Sequence, residues 1–356
     1  MTLHIGIRST LATTVVAVVL GSAALAPSAS AAPSPTTGLY GAGDPTYDAV
    51  WRQSIGIMGL AAHEITPPAA AVSWLLAQQC TNGSFQEYRA DLNIPCGASD
   101  PVNFTGPDTN ATAVALMALM ALDDSRVKVP QATLTKVVTA AEKAGTWLRK
   151  QQRSDGGWPY YPGAASDANS TGLSLSGILT QAPSYDITAY KRAARFLGTV
   201  AASCADGGGL AYQAGSAVDG SASAQGLVGL VGPMPVSGPR KLADSAPCAS
   251  TAKSKAISYL AKGLAATGTL TSALSAGQPD YANTATAVLG LVAAGKGRAS
   301  IAKAVSALKA NAAEFTAGGN PTATGLLLLV AQATGGKPSA FGGLNLVNAL
   351  NASIRK

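Results

Sequence analysis

Six times along the chain an Asp or Asn is followed four residues later by Thr, Ser or Asp, and then at once by a small residue. The six are Asp44/Asp48/Ala49, Asp108/Thr112/Ala113, Asp167/Thr171/Gly172, Asp219/Ser223/Ala224, Asp280/Thr284/Ala285 and Asn320/Thr324/Gly325. Each runs into an Ala-, Gly- and Leu-rich stretch, which makes it read as a helix start. The acid or amide accepts hydrogen bonds from the free amides of the first turn, and the small residue lets a neighbouring helix come close. Consecutive openings are 40 to 64 residues apart, enough for the rest of one helix, a turn and a second helix. A repeat on this scale decides the architecture before any single residue does.

Between the openings lie six further helical patterns with wider polar faces, near Pro68–Gln79, Gln131–Gln152, Ile187–Ser203, Thr251–Thr267, Ala299–Ala313 and Leu344–Ile354. In the second of these Leu134, Val137, Val138, Ala141, Ala144 and Leu148 recur at helical spacing, while Lys136, Glu142 and Lys143 take other faces. A helix that is apolar nearly all round is buried, and an amphipathic one faces solvent. Six of each, alternating, predict an all-α fold: an (α/α)6 double-layered toroid of six helix hairpins, spanning 44–356 as one domain. An open solenoid would ask for polar terminal repeats, and the first and last openings are no more polar than the rest.

The first 31 residues read as an export signal. Arg8 supplies positive charge, Leu11 to Leu25 form an apolar run, and Ala29-Ser30-Ala31 is a small-x-small cleavage site. Residues 32–43 read as a linker, and no later segment has the length and apolarity of a membrane span. The expectation is a secreted monomer. In an oxidising compartment the four cysteines are expected as disulfides. The local pairings are Cys80 with Cys96 and Cys204 with Cys248, each closing a loop between an outer helix end and the next inner helix. With no C-x-x-C and one histidine, His63, beyond the signal, neither a metal site nor any other cofactor is expected. The formal charge of +7 is spread along the chain rather than gathered into the basic face that nucleic acid requires.

Three outer helices feed Gly-rich, aromatic-bearing loops: Gln78–Asp91, Gln151–Gly163 and Ser203–Gln213. Running from outer-helix ends to inner-helix starts, they share one rim with the six openings, where positive helix ends, acids, amides and rings converge. The acids and amides placed there are Asp48, Asp91, Asp108, Asn110, Asp167, Asn169, Asp219 and Asp280, as hydrogen-bond acceptors. Arg52 and Arg89 are expected to meet an anionic group, and Tyr88, Trp158, Tyr160 and Tyr212 to stack.

The segment Gln151-Gln152-Arg153-Ser154-Asp155-Gly156-Gly157-Trp158, followed by Ser166-Asp167-Ala168-Asn169-Ser170-Thr171-Gly172, resembles the prenyltransferase/squalene-oxidase repeat family. That family is the α/α toroid of class II terpene cyclases, protein prenyltransferase subunits and cobalamin carriers, and it includes secreted bacterial members. The resemblance implies the toroid from Gly38 onward. The cyclases start their reaction with Asp-x-Asp-Asp-Thr-Ala, whose middle Asp is the acid. Here Asn110, Asn169 and Ala282 stand at that position, and an amide or methyl cannot protonate an alkene. The zinc ligands of the prenyltransferases have no counterpart at the rim, and His63 falls at the far end of the first inner helix. The cobalamin carriers' Asp-Thr-x-Ala matches Asp108-Thr109-Asn110-Ala111.

The expected function is therefore a secreted, non-catalytic toroid. Its rim would hold a hydrophobic or amphipathic ligand, isoprenoid- or corrinoid-like, or a cell-envelope partner. The alternatives are a diverged cyclase, prenyltransferase-like or carbohydrate-acting enzyme, and a structural or adhesion module. Intact-mass analysis of the exported protein should give a chain beginning at Ala32; a retained Met1 would remove the export signal from the reading.

Overall fold

Five of the six openings cap a helix in the same way. Oδ1 of Asp108 accepts from the Ala111 amide at 2.7 Å, Asp167 from Ser170 at 2.7 Å, Asp219 from Ala222 at 2.8 Å, Asp280 from Asn283 at 2.9 Å, and Asn320 from Ala323 at 3.1 Å. Each bond satisfies one orphan amide of the first turn and contributes roughly 1 kcal/mol. The first opening differs. Asp44 bonds Thr46 instead, and the helix starts after Asp48, whose side chain caps nothing. The Val50 amide there donates to the Glu87 carbonyl at 2.9 Å.

In this computed structural model the described residues are 36–181, 186–234, 238–273, 275 and 277–356. The expected signal peptide and the start of the expected linker lie outside them. The inner helices are α1 (Ala49–Ala62), α3 (Thr109–Leu122), α5 (Ala168–Gln181), α7 (Gly220–Val231), α9 (Tyr281–Ala294) and α12 (Pro321–Thr334). Each packs on the next and α12 returns to α1, so the ring is closed. The outer helices are α2 (Ala69–Ala77), α4 (Gln131–Lys150), α6 (Ile187–Thr199), α8 (Ala252–Thr267), α10 (Arg298–Ala310) and the short α13 (Leu346–Ala352), with one extra turn, α11 (Ala312–Phe315). The fold is the double-layered (α/α)6 toroid.

Close approach inside the ring depends on missing side chains. A Cβ on Gly172 of α5 would collide with the Gln225 carbonyl of α7, and one on Gly229 would lie 2.5 Å from the Gly172 oxygen. Across α1 and α12 a Cβ on Gly325 would lie 2.7 Å from the Ile55 oxygen. Gly172 and Gly325 are the small residues that follow the repeat's hydroxyl in sequence.

The connections into the inner helices are short hairpins: β1 (Trp158–Pro159) with β2 (Ser166–Asp167), β3 (Leu210–Ala211) with β4 (Val218–Asp219), and β5 (Leu270–Thr271) with β6 (Pro279–Asp280), all antiparallel. Phe85 and Asp108 make the equivalent bridge. The repeat's hydroxyl locks each hairpin to its helix. The amides of Phe85, Trp158, Leu210 and Leu270 donate to the side-chain oxygens of Thr112, Thr171, Ser223 and Thr284 at 2.8 to 2.9 Å.

Glutamine ties the outer layer together. Gln152 Nε2 donates to the Gly156 carbonyl at 2.8 Å and to Ala189 of the next outer helix at 3.0 Å, and Gln79 does the same to Gly83 and Ala140. Both glycines have positive φ, +97° and +95°, and press on that neighbouring helix, so they suit no other residue.

Two expectations change. Leu39 and Tyr40, assigned to the linker, are fully buried, and Gly38 and Leu39 exchange backbone bonds with Arg355 at 2.9 Å. Both disulfides form, but Cys204–Cys248 does not close onto the next inner helix. It joins the end of α6 to the approach to α8, with β3, β4 and α7 inside the loop.

Gly172→Ala should lower the unfolding free energy by about 2 kcal/mol in urea titration, because overpacking outweighs helix propensity. Gly198→Ala on α6, with open space around it, should raise it by up to about 1 kcal/mol. Equal effects at the two positions would mean that α5 and α7 do not touch at Gly172.

Candidate functional site

The closed ring brings the inner-helix amino termini to one rim, and a polar vestibule of about 310 Å³ opens there. Below it an apolar well of about 140 Å³ follows the axis, with all six inner helices contributing to its wall. Ile55, Met58, Met117, Leu289 and Leu329 line the well, and Trp51 and Gln225 belong to both spaces. Gln225 is held in place by Ser221 Oγ at 3.3 Å and Asn283 Oδ1 at 3.2 Å.

Of the residues expected at the rim, Asp48, Asn110, Tyr160, Asp167, Asn169 and Tyr212 line the vestibule. Others are placed elsewhere. Arg52 is buried behind Asp48, 3.5 Å from its carboxylate, and donates to the Gly43 carbonyl, so it has no free face for an anion. Trp158 is fully buried, with Nε1 donating to the Leu148 carbonyl at 2.8 Å, and it stacks on nothing at the mouth. Tyr88, Arg89 and Asp91 line a separate cavity beside the Cys80–Cys96 loop, where Arg89 binds four backbone carbonyls. Asp108 is fully buried behind the vestibule wall, and Asp219 and Asp280 serve as caps.

Tyr47, Trp51, Glu87, Ser170 and Gln225 line the vestibule without having been anticipated. The repeat held a signal for Glu87. It stands two residues after Phe85, as Tyr160 follows Trp158 and Tyr212 follows Leu210. The carbonyls of these three residues act alike, since Glu87 accepts from Val50, Tyr160 from Thr109 and Tyr212 from Ala168, each at 2.9 Å. Each hairpin thus caps the preceding inner helix by its backbone and presents the side chain of that residue at the mouth.

The acids sit in a conflicted environment. Helix amino termini and capping amides favour the carboxylate, whereas burial disfavours it. Burial prevails: it lifts Asp108 to about 7 and Asp167 to about 6 against the pull of their amide bonds. Glu87 is held well above the carboxylate range by burial and then by Asp108, although the Tyr160 hydroxyl donates to its Oε1 at 3.3 Å. Asp48 is raised by burial more than Arg52 lowers it, and Tyr212 is pushed up to about 12 by burial and Asp167. Among the described residues no group of His, Cys, Asp and Glu is arranged to hold a metal.

No family model matches the chain, and no curated protein does. Solved structures that resemble it include the type II terpene cyclase MstE from Scytonema without ligand, at 17% identity over 55% of this chain and 67% of that one, with a TM-score of 0.27. A variant of MstE in complex with geranylgeranyl dihydroxybenzoate matches at 16% identity over 62% and 71%, TM-score 0.30. The ent-copalyl diphosphate synthase from Streptomyces platensis matches at 13% identity over 81% of this chain and 50% of that one, TM-score 0.30. These are likenesses of fold; the toroid itself rests on this chain's own closed ring.

Asp108 binds its proton more tightly folded than unfolded, where its pKa is about 3.9. Stability should therefore fall as pH rises from about 4 through 7 and level off above. The melting temperature should be higher at pH 5 than at pH 8. Asp108→Asn keeps a capping side chain and should flatten that slope by the equivalent of 1 kcal/mol or more, about one pKa unit. An unchanged slope would show that Asp108 is ionised throughout.

Proposed function

We propose that this is an exported, monomeric binding protein whose mouth takes a small amphipathic molecule, with the polar end in the vestibule and an apolar arm in the axial well. The observation that carries the reading is the sequence of environments along one axis. Acids, amides and phenols give way, across Trp51 and Gln225, to a well of aliphatic side chains and methionines. Small-molecule sites combine a mainly apolar wall with a few convergent polar groups. A scaffold would be expected to plug its axis with Leu and Phe. The vestibule is at the lower end of the usual volume range, about 300 to 1,000 Å³, and the well is smaller still, so the apolar arm is short. A whole corrinoid or a long polyprenyl chain is disfavoured by size.

Export is supported by the leader pattern of the sequence and by the two disulfides. A cell-envelope component bearing a short apolar group fits the same mouth. An enzymatic reading has one observation in its favour. Glu87, with its burial-raised carboxyl, lines the same vestibule as Asn110, and such a group donates protons. That reading requires turnover that Glu87→Gln abolishes.

The neutral fluorophore N-phenyl-1-naphthylamine should bind with enhanced emission and quench Trp51. Leu173→Trp, which fills the well, should weaken it by about tenfold or more, a loss of about 1.4 kcal/mol. Binding that is indifferent to Leu173→Trp would mean that the well is not the site.

A further inference from the structure

We infer that the vestibule selects its ligand by charge and takes an organic cation, an N–H-bearing ammonium head on a short apolar arm. This rests on the binding reading above and specifies its polar end. The chain has 25 Lys and Arg against 18 Asp and Glu, yet the vestibule lining reverses that balance. Asp48, Glu87 and Asp167 line it, and no Lys, Arg or His does among the described residues. Four rings complete the wall, Tyr47, Trp51, Tyr160 and Tyr212. Carboxylates and ring faces around one small space attract a cation by Coulomb and cation-π interaction and repel an anion.

A second observation is independent of the acid count. Three polar atoms of the lining are buried without a hydrogen-bond partner: Glu87 Oε2, Asn110 Oδ1 and Asn169 Oδ1. The two amide oxygens are acceptors, and Glu87 Oε2 becomes one when its carboxyl ionises. The Asn169 amide nitrogen is oriented by its bond to Ser221 Oγ at 2.9 Å, which turns its oxygen the other way. Buried acceptors left unpaired carry a desolvation cost that a positively charged donor relieves. An anionic or acceptor-only head relieves none of it.

The titratable surroundings set the sign of the pH dependence. Glu87 faces Asp108 from α3, Asp48 from the start of α1, and the Tyr160 hydroxyl. Asp48 in turn faces Arg52, Asp44 and Arg355, and Asp167 faces Tyr160 and Tyr212. Arg52 neutralises Asp48 in part and leaves Glu87 and Asp167 without a cation of their own. In the unliganded protein burial raises these carboxyls above their ordinary range, Asp167 to about 6. A bound cation favours their ionised form, so binding releases a proton below their free-state pKa values. Affinity therefore rises with pH, up to tenfold per unit for each proton released, and levels off once the lining carboxyls are ionised in the free protein.

The test uses three probes with the same arm: hexylammonium, 1-hexanol and hexyl sulfate, titrated calorimetrically into the full chain at pH 5 and pH 8 at constant ionic strength. The cation should bind at least tenfold more tightly than the other two at pH 8, and at least tenfold more tightly at pH 8 than at pH 5. Glu87→Gln should reduce that pH dependence. Hexanol or hexyl sulfate binding as well as the cation, or a flat pH profile for the cation, would overturn the charge assignment and leave the amphipathic site standing. If none of the three binds, the binding reading fails with it. The wild-type comparison decides the matter even if the variant does not fold.

Discussion

The hydrogen bond from a hairpin amide to the hydroxyl four residues into the repeat is the interaction on which the rest depends. It fixes the hairpin against the amino terminus of its inner helix in four consecutive repeats, at Thr112, Thr171, Ser223 and Thr284. Because the hairpin is fixed, the residue two places on reaches back and caps the preceding inner helix with its carbonyl, as Glu87, Tyr160 and Tyr212 do. Each repeat thereby completes its neighbour's helix end. Five amino termini held in one or both of these ways lie on one rim with that of α12, and glycine contacts such as Gly172 with Gly229 draw the ring tight enough to leave a narrow well.

The same construction explains why the acids of the mouth are poised rather than quiescent. A helix terminus with its amides bonded is a favourable place for a carboxylate. At α3 and α5, however, the terminus is also covered by the next hairpin, and its capping acid is buried. For Asp108 and Asp167 the second effect outweighs the first. Asp124, near the surface, shows the opposite balance: its carboxylate is lowered to about 2 by Arg126, with little burial to oppose it. The contrast comes from architecture, since both environments are built from ordinary side chains. A site of this kind responds to the charge of whatever enters it, and this links the closed fold to the selectivity inferred for the mouth.

Much of the fold was legible because its determinants are local. An Asp or Asn, a hydroxyl and a small residue at fixed spacing encode cap, hairpin anchor and close approach together, and their recurrence is visible without coordinates. What was not legible depends on side-chain direction across repeats. Trp158 has the composition of a stacking residue, but its indole points to Leu148 and the core. Arg52 is one helical turn after Asp48, and that turn carries it behind the wall. Glu87 was hidden inside a glycine- and aromatic-bearing loop, when the informative fact was its offset from Phe85. The Cys204–Cys248 bridge was paired correctly, but its span across α7 depends on how α6 meets α8 and not on sequence distance. The buried Leu39 and Tyr40 read as linker because their partners, Arg355 and Ile354, are at the other end of the chain.

The most direct measurement of the central claim, that ring closure buries several carboxyls together at one mouth, is a carboxyl-carbon NMR titration of all Asp and Glu residues. Two resonances, removed by Asp108→Asn and by Asp167→Asn, should titrate near 7 and near 6, with Glu87 also displaced above the ordinary range of about 4 to 4.5. A set of midpoints lying entirely below about 5 would be that of solvated caps, and would contradict a closed, water-excluding mouth.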